Sequence, residues 1–234
     1  MVRHPRRPRT PREPQATVAA RPGPSPLQLG IAAVIAVVAI GVLILLGNAG
    51  QPAPPPPASA AGIRVSGNAM GEAGAPVTLE EWGDFQCPAC RAFAVATEPQ
   101  LRTTYVATGK VRFVFHHLAF IGQESTWAAE AAECAGEEGR FFDFHDKLYA
   151  LQSGENIGTF TKANLQKIAH DLGLSAGFDA CLASDRYVQR VRDDTKAGQA
   201  KGVTATPTLF VNGRKLEGVL SIDQLRAIID PLIK

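Results

Sequence analysis

The sequence predicts an α/β domain in which a strand–helix–strand unit is separated by a long helical stretch from a terminal hairpin and helix. Three observations predict it. Residues 76–82 and 111–117 alternate side chains with the two-residue period of strands. Between 124 and 200 the apolar residues recur at helical spacing. Near the C-terminus, Thr208-Leu209-Phe210-Val211 and Arg214-Lys215-Leu216 flank Asn212-Gly213, the turn pair that a tight hairpin selects. With 234 residues, 45% of them hydrophobic, the chain supports one well-cored domain with appendages rather than two large domains.

The appendages come first. Twelve of the seventeen prolines lie before residue 58, so neither 1–26 nor 47–62 is expected to pack. Residues 1–26 read as a disordered basic tail, and 47–62, with Pro54-Pro55-Pro56-Pro57, as an extended spacer. Between them, Leu27 to Leu46 carries no charge and only Gln28 as a polar side chain. As a helix this segment rises about 30 Å, the thickness of the hydrocarbon core, so a single transmembrane helix contacting the bilayer is expected over 27–46. Arg3, Arg6, Arg7, Arg9, Arg12 and Arg21 precede it against Glu13 alone, which places the N-terminus in the cytoplasm and the rest outside. A cleaved signal peptide ending near Ala58-Ser59-Ala60 is the alternative, but signal cores are shorter, about 7–15 residues. The remaining chain holds 18 basic and 21 acidic residues, a balance unsuited to nucleic-acid binding.

The folded domain is expected over 63–234. In its first strand, Pro76 to Trp82, alternation sets Val77, Leu79 and Glu81 on one face and Thr78, Glu80 and Trp82 on the other. A helix follows from Cys87, interrupted by Pro99 and ending near Gly109. Val111 to His117 is the second strand, and the strand–helix–strand order predicts a parallel pair. The helical insert, about 123–202, carries stripes at Trp127, Ala131 and Cys134, at Phe142, His145 and Tyr149, and at Leu165, Ile168, Ala169 and Leu172. A further stripe begins at Phe178, Cys181 and Leu182. Ser221 and Gln224 form a capping box for a last helix bearing Ile222, Leu225, Ile228 and Ile229.

The chemistry centres on Asp84-Phe85-Gln86-Cys87-Pro88-Ala89-Cys90. A cysteine at a helix start meets unsatisfied N–H groups and the positive end of the dipole, which stabilise its thiolate. Cys87 is therefore the expected reactive thiol, and Cys90, one turn on, can close a disulfide with it. Pro88 suits the first helical turn. A zinc site needs a second close Cys or His pair, which Cys134 and Cys181 do not supply, so no metal is expected. As a mere staple, a bridge across two residues would be strained and easily reduced, which leaves a redox pair.

Cys134 and Cys181 lie on apolar helix faces. In an oxidising compartment an even cysteine count favours a second disulfide between them, with a relay to the first pair as the alternative. Pro207 belongs at the start of its strand, where a missing N–H is harmless. Glu81 is either a surface group or, if its face is buried, a carboxyl of raised pKa able to exchange protons with the inner thiol. His116, His117 and His145 read as structural, and no Ser/His/Asp set, phosphate loop or nucleotide fingerprint is present.

From about Gly67 onward these motifs resemble the DsbA-like thiol oxidases of the thioredoxin superfamily, in their membrane-anchored bacterial branch. The resemblance runs through residues 75–82 and the Cys87–Cys90 stretch, Cys134 with Gly139-Arg140-Phe141-Phe142-Asp143-Phe144-His145-Asp146, Phe178 with Cys181-Leu182, and Gly202-Val203-Thr204-Ala205-Thr206-Pro207-Thr208. It implies a thioredoxin fold with an inserted helical lid, Cys87 as nucleophile, Cys90 as resolving thiol, and a cis Pro207 beside them. It also implies that Glu81 is the family's buried glutamate and that Pro88, Ala89, Thr206 and Pro207 meet the substrate, with no cofactor. Reduced exported polypeptides are the implied clients, and a quinone-linked membrane oxidase of the DsbB or vitamin-K-epoxide-reductase kind the implied recharging partner. Ala89 departs from the His of strongly oxidising members, and Thr204-Ala205-Thr206 from the glycine many relatives carry. An isomerase or reductase, and a non-catalytic membrane-tethered holdase, are the rival readings.

Overall fold

The computed structural model describes residues 62–233. The basic tail, the membrane helix expected over 27–46 and all but the last residue of the 47–62 spacer lie outside the described residues. Among the described residues no helix is long and apolar enough to cross a membrane.

A six-stranded sheet organises the domain: β1 (Val65–Ser66), β2 (Ala69–Met70), β3 (Val77–Gly83), β4 (Val111–His117), β5 (Thr208–Val211) and β6 (Arg214–Glu217), in the order β1-β2-β4-β3-β5-β6. β3 and β4 run parallel from Val77↔Val111 to Gly83↔His117, and every other pairing is antiparallel. The parallel register puts Val77, Leu79 and Glu81 beside Val111, Phe113 and Phe115 on one face. β1 and β2 are an addition to the expected plan. They are two residues each, too short to leave an alternation in the sequence.

The segment after the cysteine pair breaks where Pro99 requires it. α1 (Pro88–Ala96) ends at Thr97, whose hydroxyl donates to Leu220 O at 2.9 Å. The chain then resumes as α2 (Glu98–Leu101) and a π-helical turn, Arg102–Val106, closed by Ala107 N donating to Arg102 O at 2.8 Å. Five helices fill the interval between β4 and β5: α3 (Gln123–Glu137), α4 (Phe141–Leu151), α5 (Lys162–Asp171), α6 (Ala176–Ala183) and α7 (Val188–Ala200). The Asn212-Gly213 turn has positive φ at both residues (47° and 82°), as a tight hairpin with right-twisted strands demands. Both reciprocal bonds of the Ser221–Gln224 capping box open α8 (Ile222–Ile229).

The Val77/Leu79/Glu81 face is buried in the main core, with Phe93 and Cys90 of α1, Leu101, Phe141 and Leu148 of α4, and Leu225 and Ile229 of α8. A second cluster, Trp82, Leu118, Val203 and Phe210, occupies the opposite face. α7 lies on it so closely that a Cβ at Gly198 would stand 2.5 Å from the Trp82 ring and 2.8 Å from Leu118. β3 is thus covered on both sides at its C-terminal end, so Glu81 and Trp82 are both buried.

Candidate active site

The C-terminal end of β3 delivers the chain into a tight turn, and Cys87 is the residue that caps α1. Its backbone is extended (φ −73°, ψ 120°) and Pro88 follows at the first helical position, where no N–H is missed. Cys87 is 8% exposed, and its sulfur lies 3.4 Å from the carbonyl oxygen of Thr206. Cys90, one turn inward, is fully buried, and the two thiols are not bonded to each other.

These surroundings separate the two thiols. A hydrogen bond from the Cys90 thiol holds Cys87 down to about 6, against the opposing effect of burial. The Thr206 side chain and the N–H groups of Cys90 and Ala89 assist. Burial pushes the Cys90 thiol well above its usual range, and its neighbours Cys87 and Glu81 push the same way. Cys87 is therefore the more readily ionised thiol and Cys90 the one that keeps its proton.

The turn is anchored by side chains whose roles the sequence pattern did not reveal. Asp84 Oδ1 accepts from Gln86 N, and its Oδ2 accepts from Phe120 N and Ile121 N. Gln86 Nε2 donates to Ser125 Oγ, and Gln86 Oε1 accepts from Asn156 N at 2.6 Å. Gln152, just past α4, donates to the carbonyls of both Phe85 (2.7 Å) and Cys87 (3.0 Å). Every carbonyl and carboxylate of the turn named here is satisfied, mostly by residues from the insert. Pro88 is exposed and Ala89 partly so. Thr204 and Ala205 are exposed and Thr206 half-buried, while Pro207 is buried behind them with a cis Thr206–Pro207 bond. Phe120, Leu151 and Ile157, each within a residue of a group bonded to the turn, are exposed at 51%, 41% and 62%.

Beneath the pair, Glu81 is fully buried and neither carboxylate oxygen has a hydrogen-bond partner. Burial raises its pKa well above the carboxyl range, the charge of Glu98 adds to this, and Arg102 opposes it. Arg102 is itself buried, donating to Glu98 Oε1 and, through both terminal nitrogens, to Asp146 at 2.6 and 2.7 Å. His145 Nδ1 lies 2.9 Å from Asp146, so the expected packing histidine belongs to this charged cluster. Glu98, His145 and Asp146 are the group of metal-ligand type found among the described residues. The guanidinium already bridges both carboxylates, and a second cation there would meet its charge. An i,i+4 Glu98–Arg102 pair was visible in the sequence, but such spacing describes surface pairs equally well.

Cys134 of α3 and Cys181 of α6 form a disulfide across 47 residues, with both sulfurs in the core of the insert. His117 Nε2 stands 3.0 Å from Glu133, and His116 stacks on Trp82 with ring centroids 4.4 Å apart.

A thioredoxin family model matches residues 64–231. Probable disulfide bond formation protein D of Bacillus anthracis is 31% identical over 170 residues, covering 70% of this chain and 77% of that protein. The crystal structure of oxidised BdbD from Bacillus subtilis superposes with a TM-score of 0.66 at 27% identity, covering 75% of this chain and 95% of that one. Na(+)/H(+) antiporter NhaA 1 of Salinispora arenicola is 37% identical over 158 residues, 66% of this chain. The match spans only 23% of the antiporter's own length.

Proposed function

Since the chain belongs to the DsbA-like thiol:disulfide oxidoreductases of the thioredoxin superfamily, we propose that it donates a disulfide to exported proteins outside the cytoplasmic membrane, through Cys87 and Cys90. The observation that carries this reading is the division between the two thiols: Cys87 is held at about 6 and partly accessible, whereas Cys90 is buried and pushed well up. A substrate thiolate attacks Cys87 Sγ of the oxidised pair and forms the mixed disulfide. The Cys87–Cys90 bond breaks, and Cys90 leaves with the electron pair and takes a proton. The substrate's second thiolate then attacks its own sulfur in the mixed disulfide and releases the Cys87 thiolate. A substrate disulfide is formed and the enzyme is left with two reduced thiols. A stabilised Cys87 thiolate favours the reduced enzyme and so makes the disulfide a better oxidant.

Pro88, Ala89 and the Thr206–Pro207 loop rim the sulfur, and Phe120, Leu151 and Ile157 offer apolar surface beside it for an unfolded chain. A quinone-linked membrane oxidase would restore the disulfide, and the uncharged 27–46 segment would hold the domain at the membrane. A reductase or isomerase is the second reading, favoured by Ala89: no side-chain cation between the cysteines supports the thiolate, and the surroundings bring Cys87 only to about 6. The expected potential accordingly lies between roughly −120 mV for DsbA and −270 mV for thioredoxin.

The test is the full chain with Cys90→Ser expressed in cells. Mixed disulfides of Cys87 with exported proteins are expected to accumulate and to disappear on further Cys87→Ser replacement. If none forms, while the doubly substituted protein still binds unfolded clients, the domain is a holdase and the redox reading fails. A reporter fused after Lys234 that is active only in the cytoplasm would remove the extracytoplasmic placement.

A further inference from the structure

Residues 152–161 join α4 to α5 without regular secondary structure, and they turn their polar groups inward. Gln152 holds the carbonyls of Phe85 and Cys87, while Glu124 of α3 accepts from Gly158 N at 2.8 Å and from Phe160 N at 2.7 Å. The Ser153 and Thr159 hydroxyls meet at 2.9 Å across the loop, and Asn164 Nδ2 donates to Gly158 O at 2.8 Å. Midway, Asn156 has φ 53°, a left-handed conformation that asparagine adopts more readily than most residues. Its N–H donates to Gln86 Oε1 at 2.6 Å, its Oδ1 accepts from Gln86 Nε2 at 3.3 Å, and its Nδ2 donates to Ile121 O at 3.2 Å. Gly122 lies so close to this amide that a Cβ there would stand 2.7 Å from both Cγ and Nδ2 of Asn156. The Gly122 backbone is extended (φ 173°), so glycine is required there for space and not for conformation.

We propose that Asn156 is a positioning residue for polypeptide clients: its side-chain amide ties segment 120–122 and the 152–161 loop to each other and to Gln86, and so sets the exposed apolar Phe120 and Ile157 at fixed places around the turn that carries Cys87. The inference rests on the reading of Cys87 and Cys90 as a pair that exchanges disulfides with unfolded chains. Gln86 immediately precedes Cys87, Ile157 follows Asn156, and Phe120 precedes Ile121, so each apolar residue is one peptide bond from a member of the junction. Asn156 is itself exposed, and Gln86 keeps its bond to Ser125 Oγ and the one from Asn156 N whether or not the amide is present. What the amide adds is the relative placement of two side chains that are 51% and 62% exposed and draw little of it from the core. A rim held in place lowers the ordering cost of binding, and a client held there brings its thiol to Cys87 more often.

Two synthetic peptides of equal length, each with two cysteines at the same spacing, test this: one carries Leu and Phe around the cysteines and the other Ser and Gly. The full chain is first oxidised with glutathione disulfide and freed of it. Each turnover then converts a peptide dithiol to its disulfide and the Cys87–Cys90 disulfide to two thiols, with no other oxidant. Samples quenched with acid and analysed by mass give both rates. The wild-type chain is expected to oxidise the apolar peptide roughly tenfold faster, through partial burial of its side chains on the rim. Asn156→Gly removes the amide and keeps the backbone bond to Gln86 at a φ that suits glycine, and Gly122→Ala displaces the amide from the other side. Each should cut the preference to about twofold, and the double variant should lose no more than either single one. Gly122→Ala should also leave the polar peptide's rate within about twofold of wild type. The pH profile of Cys87 alkylation in the reduced chain should keep its midpoint at about 6 in both variants. A preference retained in either variant, a further loss in the double variant, or a displaced alkylation profile overturns the proposal. So does a wild-type chain that oxidises both peptides at one rate, which leaves the exchange reading standing. If neither peptide is oxidised, the exchange reading itself falls and takes the inference with it.

Discussion

Replacing both Cys134 and Cys181 by Ala removes the covalent bond that joins α3 to α6 within the insert. The bridge closes 47 residues, and in the chain-entropy model a loop of that length restricts the unfolded chain by about 4 kcal/mol. With a urea slope of about 2 kcal/mol/M, the unfolding midpoint is expected to fall by about 2 M. The measurement is a urea titration followed by circular dichroism, made in a Cys87→Ser/Cys90→Ser background so that only this bridge differs. A midpoint within about 0.5 M of the bridged protein, at unchanged slope, would refute the loop-closure reasoning. The same replacement in the active protein distinguishes a staple from a relay. Turnover per folded molecule should be unchanged for a staple and lost for a relay.

Glu81→Gln should stabilise the protein increasingly as pH rises. The folded-state pKa of Glu81 is raised, so its ionisation opposes folding above the unfolded carboxyl pKa, and this penalty grows until pH passes the folded value. The stability difference between variant and wild type, from denaturant midpoints at pH 4 and pH 8, should be larger at pH 8; an equal difference would mean Glu81 is not a buried acid. Gly198→Ala should destabilise by about 1–3 kcal/mol, because the new methyl meets the Trp82 ring at 2.5 Å and overpacks the α7 side of the sheet. Thermal unfolding with an unchanged midpoint would show that α7 can retreat without loss.

Much of the architecture was legible because it is written in local periodicity. Val111–His117 alternates along its whole length, Asn212-Gly213 has one structural use between two apolar runs, and the Ser221–Gln224 box is a pattern of two hydrogen bonds. The thiols were legible for a similar reason, since a helix start perturbs a cysteine whatever the tertiary context. The face of Glu81 could be read from alternation, but its burial could not. Trp82, the next residue, is also buried, because α7 covers the opposite side, and that packing involves residues more than a hundred positions away. The Glu98–Arg102–Asp146–His145 cluster was missed for the complementary reason. Charged residues carry no local sign of being inside, and Arg102 meets Asp146 across 44 positions. Asp84, Gln86 and Gln152 likewise look like ordinary loop polarity until their partners are seen.

The way the turn before α1 is suspended has a practical meaning for anyone reshaping the molecule. Gln86, Phe85 and Cys87 hang from Ser125, Asn156 and Gln152, all three belonging to the helical insert. Trimming the chain to a minimal sheet-and-helix oxidoreductase would remove these supports along with the insert. The turn and the insert form one exchangeable cassette, and grafting either into another scaffold without its counterpart transplants two cysteines but not the geometry that separates their reactivity.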